Sequence, residues 1–118
     1  MSDLTVLHNP KCSTSRSALE TLEASGARAD VVQYLKEPLD EAALRELIGK
    51  LEDEPTDLVR RDSYFKDQGL TDADVATVDQ VVAVLVEHPR LMQRPVIVKG
   101  ERAIIGRPKD RVAPFVAG

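Results

Sequence analysis

Apolar residues recur along this chain with two periods, and the places where one gives way to the other mark its elements. Leu4 and Val6 flank Thr5 in a two-residue alternation that predicts a short strand. Ser15, Ala18, Leu19 and Leu22 follow at helical spacing, with Gly26 as the C-terminal cap. Ala29 to Leu35, centred on Val31-Val32, reads as a second short strand that Pro38 ends. Asp40 is a good N-cap for a helix whose Leu44, Leu47, Ile48 and Leu51 fall at i, i+3, i+4 and i+7, one apolar stripe. Pro55 fits the first turn of a short helix through Leu58 and Val59, and the Arg60 position belongs with it. Tyr64, Phe65 and Leu70 stand beyond as scattered apolar anchors.

Thr71 with Asp74, and Thr77 with Gln80, have the spacing of capping boxes. The valines between Val78 and Val86 favour a strand by propensity, but Val78, Val81, Val82 and Leu85 keep helical spacing. Thr77 caps the segment and His88-Pro89 stops it, so a helix is predicted. Val96-Ile97-Val98 and Ala103-Ile104-Ile105 flank Lys99-Gly100-Glu101-Arg102, the pattern of an antiparallel hairpin. Pro108 then opens a short final helix toward Val112, limited by Pro114. The predicted order is strand, helix, strand, several helices, hairpin, helix. That is an α/β chain read as one domain over 1–118, with a helical insertion at about 38–90.

The length of 118 residues suffices to bury a core without disulfides. Sixteen Lys plus Arg against 20 Asp plus Glu give a formal charge of −4, which argues against general nucleic-acid binding, since that needs a basic surface. Any anion site must be a local cluster of arginines. The Met1-Ser2-Asp3 start lacks a basic region before a long apolar run, and no stretch has the length of a membrane span. The single cysteine agrees with a reduced, cytoplasmic setting, and no membrane partner is expected.

That cysteine, Cys12, lies in a polar loop between the first strand and the first helix. Orphan N–H groups and the positive end of the helix dipole favour a thiolate there. A lone cysteine also serves as a small buried hydrophobe, but placement after Pro10 in a polar loop favours the reactive reading. Ser15 occupies the third position after it, so there is no C-x-x-C pair, and Ala18 stands where a C-x5-R phosphatase loop needs arginine. His8 is placed either to lower the thiol pKa or to hold a loop carbonyl, and Asn9, Ser13, Thr14 and Ser15 either to contact an anion or to cap the helix. Two histidines and one cysteine lack the spacing of a zinc site, so no metal is expected. Arg94 and Arg107 each precede a proline at opposite ends of the predicted hairpin, which places them at one end of the sheet. Arg16, Arg45 and Arg111 read as solvated surface.

The phrase His8-Asn9-Pro10-Lys11-Cys12-Ser13-Thr14-Ser15-Arg16, with Leu58-Val59-Arg60-Arg61, His88-Pro89, Gln93-Arg94-Pro95-Val96-Ile97-Val98 and Gly106-Arg107-Pro108, resembles the glutaredoxin-coupled arsenate reductase family. The resemblance implies a thioredoxin-like core and a cis peptide at Arg94-Pro95 beside the cysteine. It implies that Cys12 forms a covalent adduct with arsenate and that Arg60, Arg94 and Arg107 hold the oxyanion, with His8, Asn9, Ser15 and Pro95 in support. The resemblance further implies glutathione as the co-substrate that supplies the second thiol, glutaredoxin as the partner that removes the glutathione, and no bound cofactor. Two other readings share the chain's features: a glutathione-dependent reductase of another substrate, and a non-enzymatic regulator that binds polymerase.

Overall fold

The computed structural model describes residues 4–26 and 28–117, so the Met1-Ser2-Asp3 start lies outside the described residues. The first unit is β1 (Leu4–His8), α1 (Ser13–Ala24) and β2 (Ala29–Gln33), with β1 and β2 parallel. The hairpin is β3 (Val96–Lys99) and β4 (Arg102–Ile105), turned at Gly100, whose φ of 60 suits the first central position of a two-residue hairpin loop. β3 inserts beside β1 and antiparallel to it, giving the sheet order β2-β1-β3-β4 of a thioredoxin-like fold.

The pairing register sorts the strand side chains into two faces. Val6 opposes Ile97 and Ile97 opposes Ile104, a row that packs with Ala18 and Leu22 of α1 and with Val112 and Phe115 of α5 (Val112–Ala117). Leu7, Val96 and Ile105 form the neighbouring row on the other face. It packs with Leu44, Leu47 and Ile48 of α2 (Glu41–Lys50) and with Val81, Val82 and Leu85 of α4 (Val78–Glu87). The helical segment between β2 and β3 therefore covers one face of the sheet, while α1 and α5 cover the other.

The valine-rich segment is helical because the Thr77–Gln80 capping box forms and its valines divide by face, Val81 and Val82 buried while Val78 and Val86 are exposed. β2 is shorter than the expected strand: Lys36 and Glu37 both donate to the Gln33 carbonyl, which turns the chain at Tyr34 and leaves Leu35 on the surface. Leu51 is the C-cap of α2 rather than its last apolar position, and bridges in parallel to Ala103. Residues Pro55–Leu58 form a 3-10 turn, Val59 follows it in extended backbone, and Arg60 comes next, donating its amide to the Leu91 carbonyl at 2.8 Å. It is not on a helix.

The scattered anchors Tyr64 and Phe65 lie in a short helix, α3 (Ser63–Asp67), capped by the Asp62 carboxylate on the Phe65 amide. Gly26 follows the C-cap of α1, which is Ser25. Pro114 does not shorten α5, because it sits in the first turn, where a missing N–H costs nothing. The outer edge of β4 is closed by the segment after α2, where the Glu52 amide donates to the Ala103 carbonyl at 2.8 Å. Among the described residues no helix is long and apolar enough to cross a membrane.

Candidate active site

β1 ends at His8, and the next four residues turn the chain into α1. The turn is organised from below by the buried polar residues His8, Asn9 and Ser15, at 6%, 7% and 0% exposure. The Asn9 amide donates to Ser15 Oγ at 3.1 Å, and Ser15 Oγ lies 2.6 Å from His8 Nδ1. Asn9 Oδ1 accepts the Lys11 amide at 3.0 Å, and the Asn9 carbonyl accepts the Cys12 amide at 3.0 Å. From outside, Arg16 donates to the Pro10 carbonyl at 2.9 Å. Each buried polar group thus has a partner, as burial demands.

Cys12 is the N-cap of α1 and is a free, half-buried thiol. Burial pushes its pKa up, but the Ser15 amide, the Arg94 guanidinium, the Arg107 charge and the Thr14 amide together outweigh burial and bring it below the ordinary value. His8 does not supply that effect. Burial, then the Arg16 charge, lower its own pKa, so the ring is neutral at pH 7 and its contact is with the Ser15 hydroxyl.

Arg94 and Arg107 meet at one end of the sheet. Arg107 Nε donates to the Arg94 carbonyl at 2.8 Å, and Arg107 Nη2 lies 3.2 Å from Cys12 Sγ. Both arginines precede cis prolines, Pro95 and Pro108; the second cis bond is not signalled by the sequence. Arg94 Nη1 donates to the Arg90 carbonyl at 3.2 Å, while its Nε is buried with no hydrogen-bond partner. Gly106 leaves no room between the two prolines' segments: a Cβ there would lie 2.8 Å from Pro95 Cγ and 3.3 Å from Val112 Cγ2.

Arg60 enters from the other side. Burial lowers its pKa, the Arg94 charge lowers it further, Asp62 pulls back, and Arg107 and Cys12 act more weakly with opposite signs. Its ion pair to Asp62 is loose, at 3.5 Å. The adjacent Arg61 is engaged elsewhere, donating to the Thr56 and Val59 carbonyls and so holding the backbone that carries Arg60. Arg60, Arg94, Arg107 and Cys12 therefore feel one another across one site. Three guanidiniums repel when gathered, and a tetrahedral oxyanion relieves that repulsion while giving their forked donors an acceptor.

Two residues of the site are not singled out by sequence reasoning. Tyr34, 1% exposed, has its hydroxyl 3.4 Å from the Met92 carbonyl. Burial raises its pKa while the Arg94 charge and hydrogen bonds from Asn9 and Arg94 pull back, so the phenol lies under the same cluster. The available signal was a tyrosine directly after a strand, whose hydroxyl needs a partner when the ring is buried. Arg111 is not solvated surface, since its Nη1 donates to Asp53 Oδ1 and the Ile105 carbonyl, each at 2.9 Å. Arg45 does lie on the surface, paired with Glu41 and Asp79. Among the described residues no group of three His, Cys, Asp or Glu side chains is placed to hold a metal ion.

The ArsC family model matches residues 7–115. The uncharacterized protein YfgD of Escherichia coli K12 is 35% identical over 113 residues, covering 94% of this chain and 94% of that protein. An arsenate reductase of Neisseria meningitidis serogroup B is 33% identical over 114 residues, covering 95% and 97%. The solved structure of an arsenate reductase from Vibrio cholerae superposes with a TM-score of 0.84 at 33% identity, covering 94% of this chain and 95% of that one.

Proposed function

The chain belongs to the ArsC family, and from that premise we propose that it reduces arsenate to arsenite on Cys12, using glutathione and glutaredoxin as external reductants. The observation that carries the reading is the Arg107 guanidinium 3.2 Å from the sulfur of the cysteine at the N-cap position of α1, a thiol whose pKa Arg94 also lowers.

The chemistry derives from those groups. The Cys12 thiolate attacks arsenic, and one arsenate oxygen leaves as water once protonated, forming a sulfur–arsenic bond. Arg60, Arg94 and Arg107 bind the remaining oxygens, and the unpartnered Arg94 Nε gains an acceptor. Arsenic then takes two electrons from sulfur and leaves as arsenite, while two thiols become one disulfide. Cys12 is the chain's only cysteine, so the second thiol comes from outside; glutathione supplies it, and glutaredoxin clears the resulting mixed disulfide. Asn9, Ser15 and His8 shape the loop, and Pro95 fixes the backbone beside the sulfur.

A coupled assay tests this. The purified protein is supplied with arsenate, or with phosphate or a disulfide in its place, and with glutathione plus glutaredoxin or thioredoxin alone. Arsenite formation that needs both glutathione and glutaredoxin is expected. Turnover supported equally by thioredoxin alone removes the coupling, and disulfide reduction without arsenate turnover favours a general thiol reductase.

A further inference from the structure

The backbone that launches Arg107 is held by residues outside the anion cluster. Asp53, in the segment after α2, accepts the Ile105 amide on Oδ2 at 2.9 Å and Arg111 Nη1 on Oδ1 at 2.9 Å. Arg111 Nη1 also faces the Ile105 carbonyl at 2.9 Å and the Arg107 carbonyl at 3.3 Å. Ile105 is the last residue of the β3–β4 register, so the strand ladder does not fix residues 106 and 107. Beyond it, the Gly106 amide donates to the Pro95 carbonyl at 2.8 Å. One carboxylate and one guanidinium thus bracket residues 105–107 through three backbone groups. The Asp53 side chain is only 17% exposed, so it is no ordinary surface ion pair.

We propose that Asp53 and Arg111 are a positioning pair that aims the Arg107 guanidinium at the Cys12 sulfur. Neither touches the sulfur. Their work is to fix the backbone from which the Arg107 side chain reaches the Arg94 carbonyl through Nε and the sulfur, at 3.2 Å, through Nη2. The inference rests on the reading of Cys12 as a nucleophile, and its main test needs no arsenate.

A purely structural role has a built-in control. Glu52 also ties the segment after α2 to β4, through its amide on Ala103 and its exposed ion pair with Arg102. Glu52→Gln weakens the tie between the same two segments without loosening residues 105–107. Iodoacetamide alkylation of Cys12 against pH, with no substrate present, is measured for Asp53→Asn, Arg111→Lys and Glu52→Gln, together with arsenate kcat/KM. Asp53→Asn keeps an oxygen for the Ile105 amide and removes the charge that holds Arg111.

Asp53→Asn and Arg111→Lys should each raise the alkylation midpoint by about half a pH unit and lower kcat/KM roughly five- to tenfold, while Glu52→Gln changes neither. In an Arg107→Gln background the same two substitutions should cost less than about twofold, because they act through the group already removed. Should Asp53→Asn fail to fold, Arg111→Lys supplies the same comparisons. Midpoints that stay at the wild-type value, losses equal to those of Glu52→Gln, or full losses retained in the Arg107→Gln background would each overturn the pair's role. Shifted midpoints in a protein that never turns over arsenate keep the pair and remove only the substrate.

Discussion

Replacing Arg107 by glutamine tests the electrostatics of the site most directly, because glutamine keeps a donor for the Arg94 carbonyl and removes the charged Nη end that faces the sulfur. Two unit charges separated by the 3.2 Å between Arg107 Nη2 and Cys12 Sγ interact by about 1.3 kcal/mol at the dielectric of water and about 5 kcal/mol at an effective value of 20. Both residues are partly open to solvent, so the lower figure governs. It corresponds to about one pKa unit, in the direction of a weaker acid once the cation is gone. The assay is alkylation rate against pH. The midpoint should rise by about one unit, and the high-pH plateau should rise roughly threefold, since a more basic thiolate is intrinsically more nucleophilic. Arg107→Lys, which retains charge, should keep its midpoint within a few tenths of a unit yet lose turnover with the forked donor. An unchanged midpoint in Arg107→Gln would refute the argument outright, and a lowered plateau would show that arginine acts on the sulfur by something other than charge.

The remaining predictions reach other parts of the site. Arg60→Lys and Arg94→Lys should each lower arsenate kcat/KM by roughly ten- to hundredfold, the worth of about 1.5–3 kcal/mol in one charge-assisted hydrogen bond. Arg45→Lys, on an exposed ion pair, should match wild type, and equal activity in all three variants would dissolve the arginine cradle. Gly106→Ala forces a Cβ to 2.8 Å from Pro95 Cγ and should destabilise by about 1–3 kcal/mol, read as a lowered Tm; an unchanged Tm would mean the backbone yields freely there. Burial, chiefly, holds the folded pKa of His8 below its unfolded value near 6.5, so the unfolded chain binds the extra proton and stability should fall as pH drops from about 7 to about 5. Urea midpoints across that window should flatten in His8→Gln, and an equally steep fall would assign the effect to other groups.

The legible parts of the fold are those governed by local physics. Alternation in β1 and the hairpin, and helical spacing in α1, α2 and α4, are local signals, and local signals place elements. α3 is harder to see because its buried Phe65 has no periodic companions within five residues; the usable sign is Asp62 three positions before it, the spacing of a cap. The end of β2 is hidden because Tyr34 continues the apolar run while the turn at Gln33 depends on backbone hydrogen bonds that no spacing reveals. Within the site, the hairpin alone requires Arg94 and Arg107 to be neighbours. Nothing local brings Arg60 to them, and that came only through the family resemblance. Arg111 looks like surface because its partner, Asp53, is remote in the chain and meets it only after β4 has docked.

The distance along the chain between Cys12 and Arg107, 95 residues, has a consequence for the protein while it is being made. β1 can pair with β2 as soon as α1 has formed, but its other edge waits for β3. Closing the longer loop costs about 1 kcal/mol more than closing the shorter one, and the bonus of β3 and β4 pairing arrives only afterwards. A chain emerging from the ribosome therefore displays Cys12 well before Arg107, 95 residues later. Until the hairpin docks, the thiol has the Ser15 and Thr14 amides of α1 beside it but neither the Arg94 nor the Arg107 charge, so its acidity is only partly raised. Completion of the sheet adds the two guanidiniums to the amides already present, so the last step in the thiol's acidity waits for the hairpin.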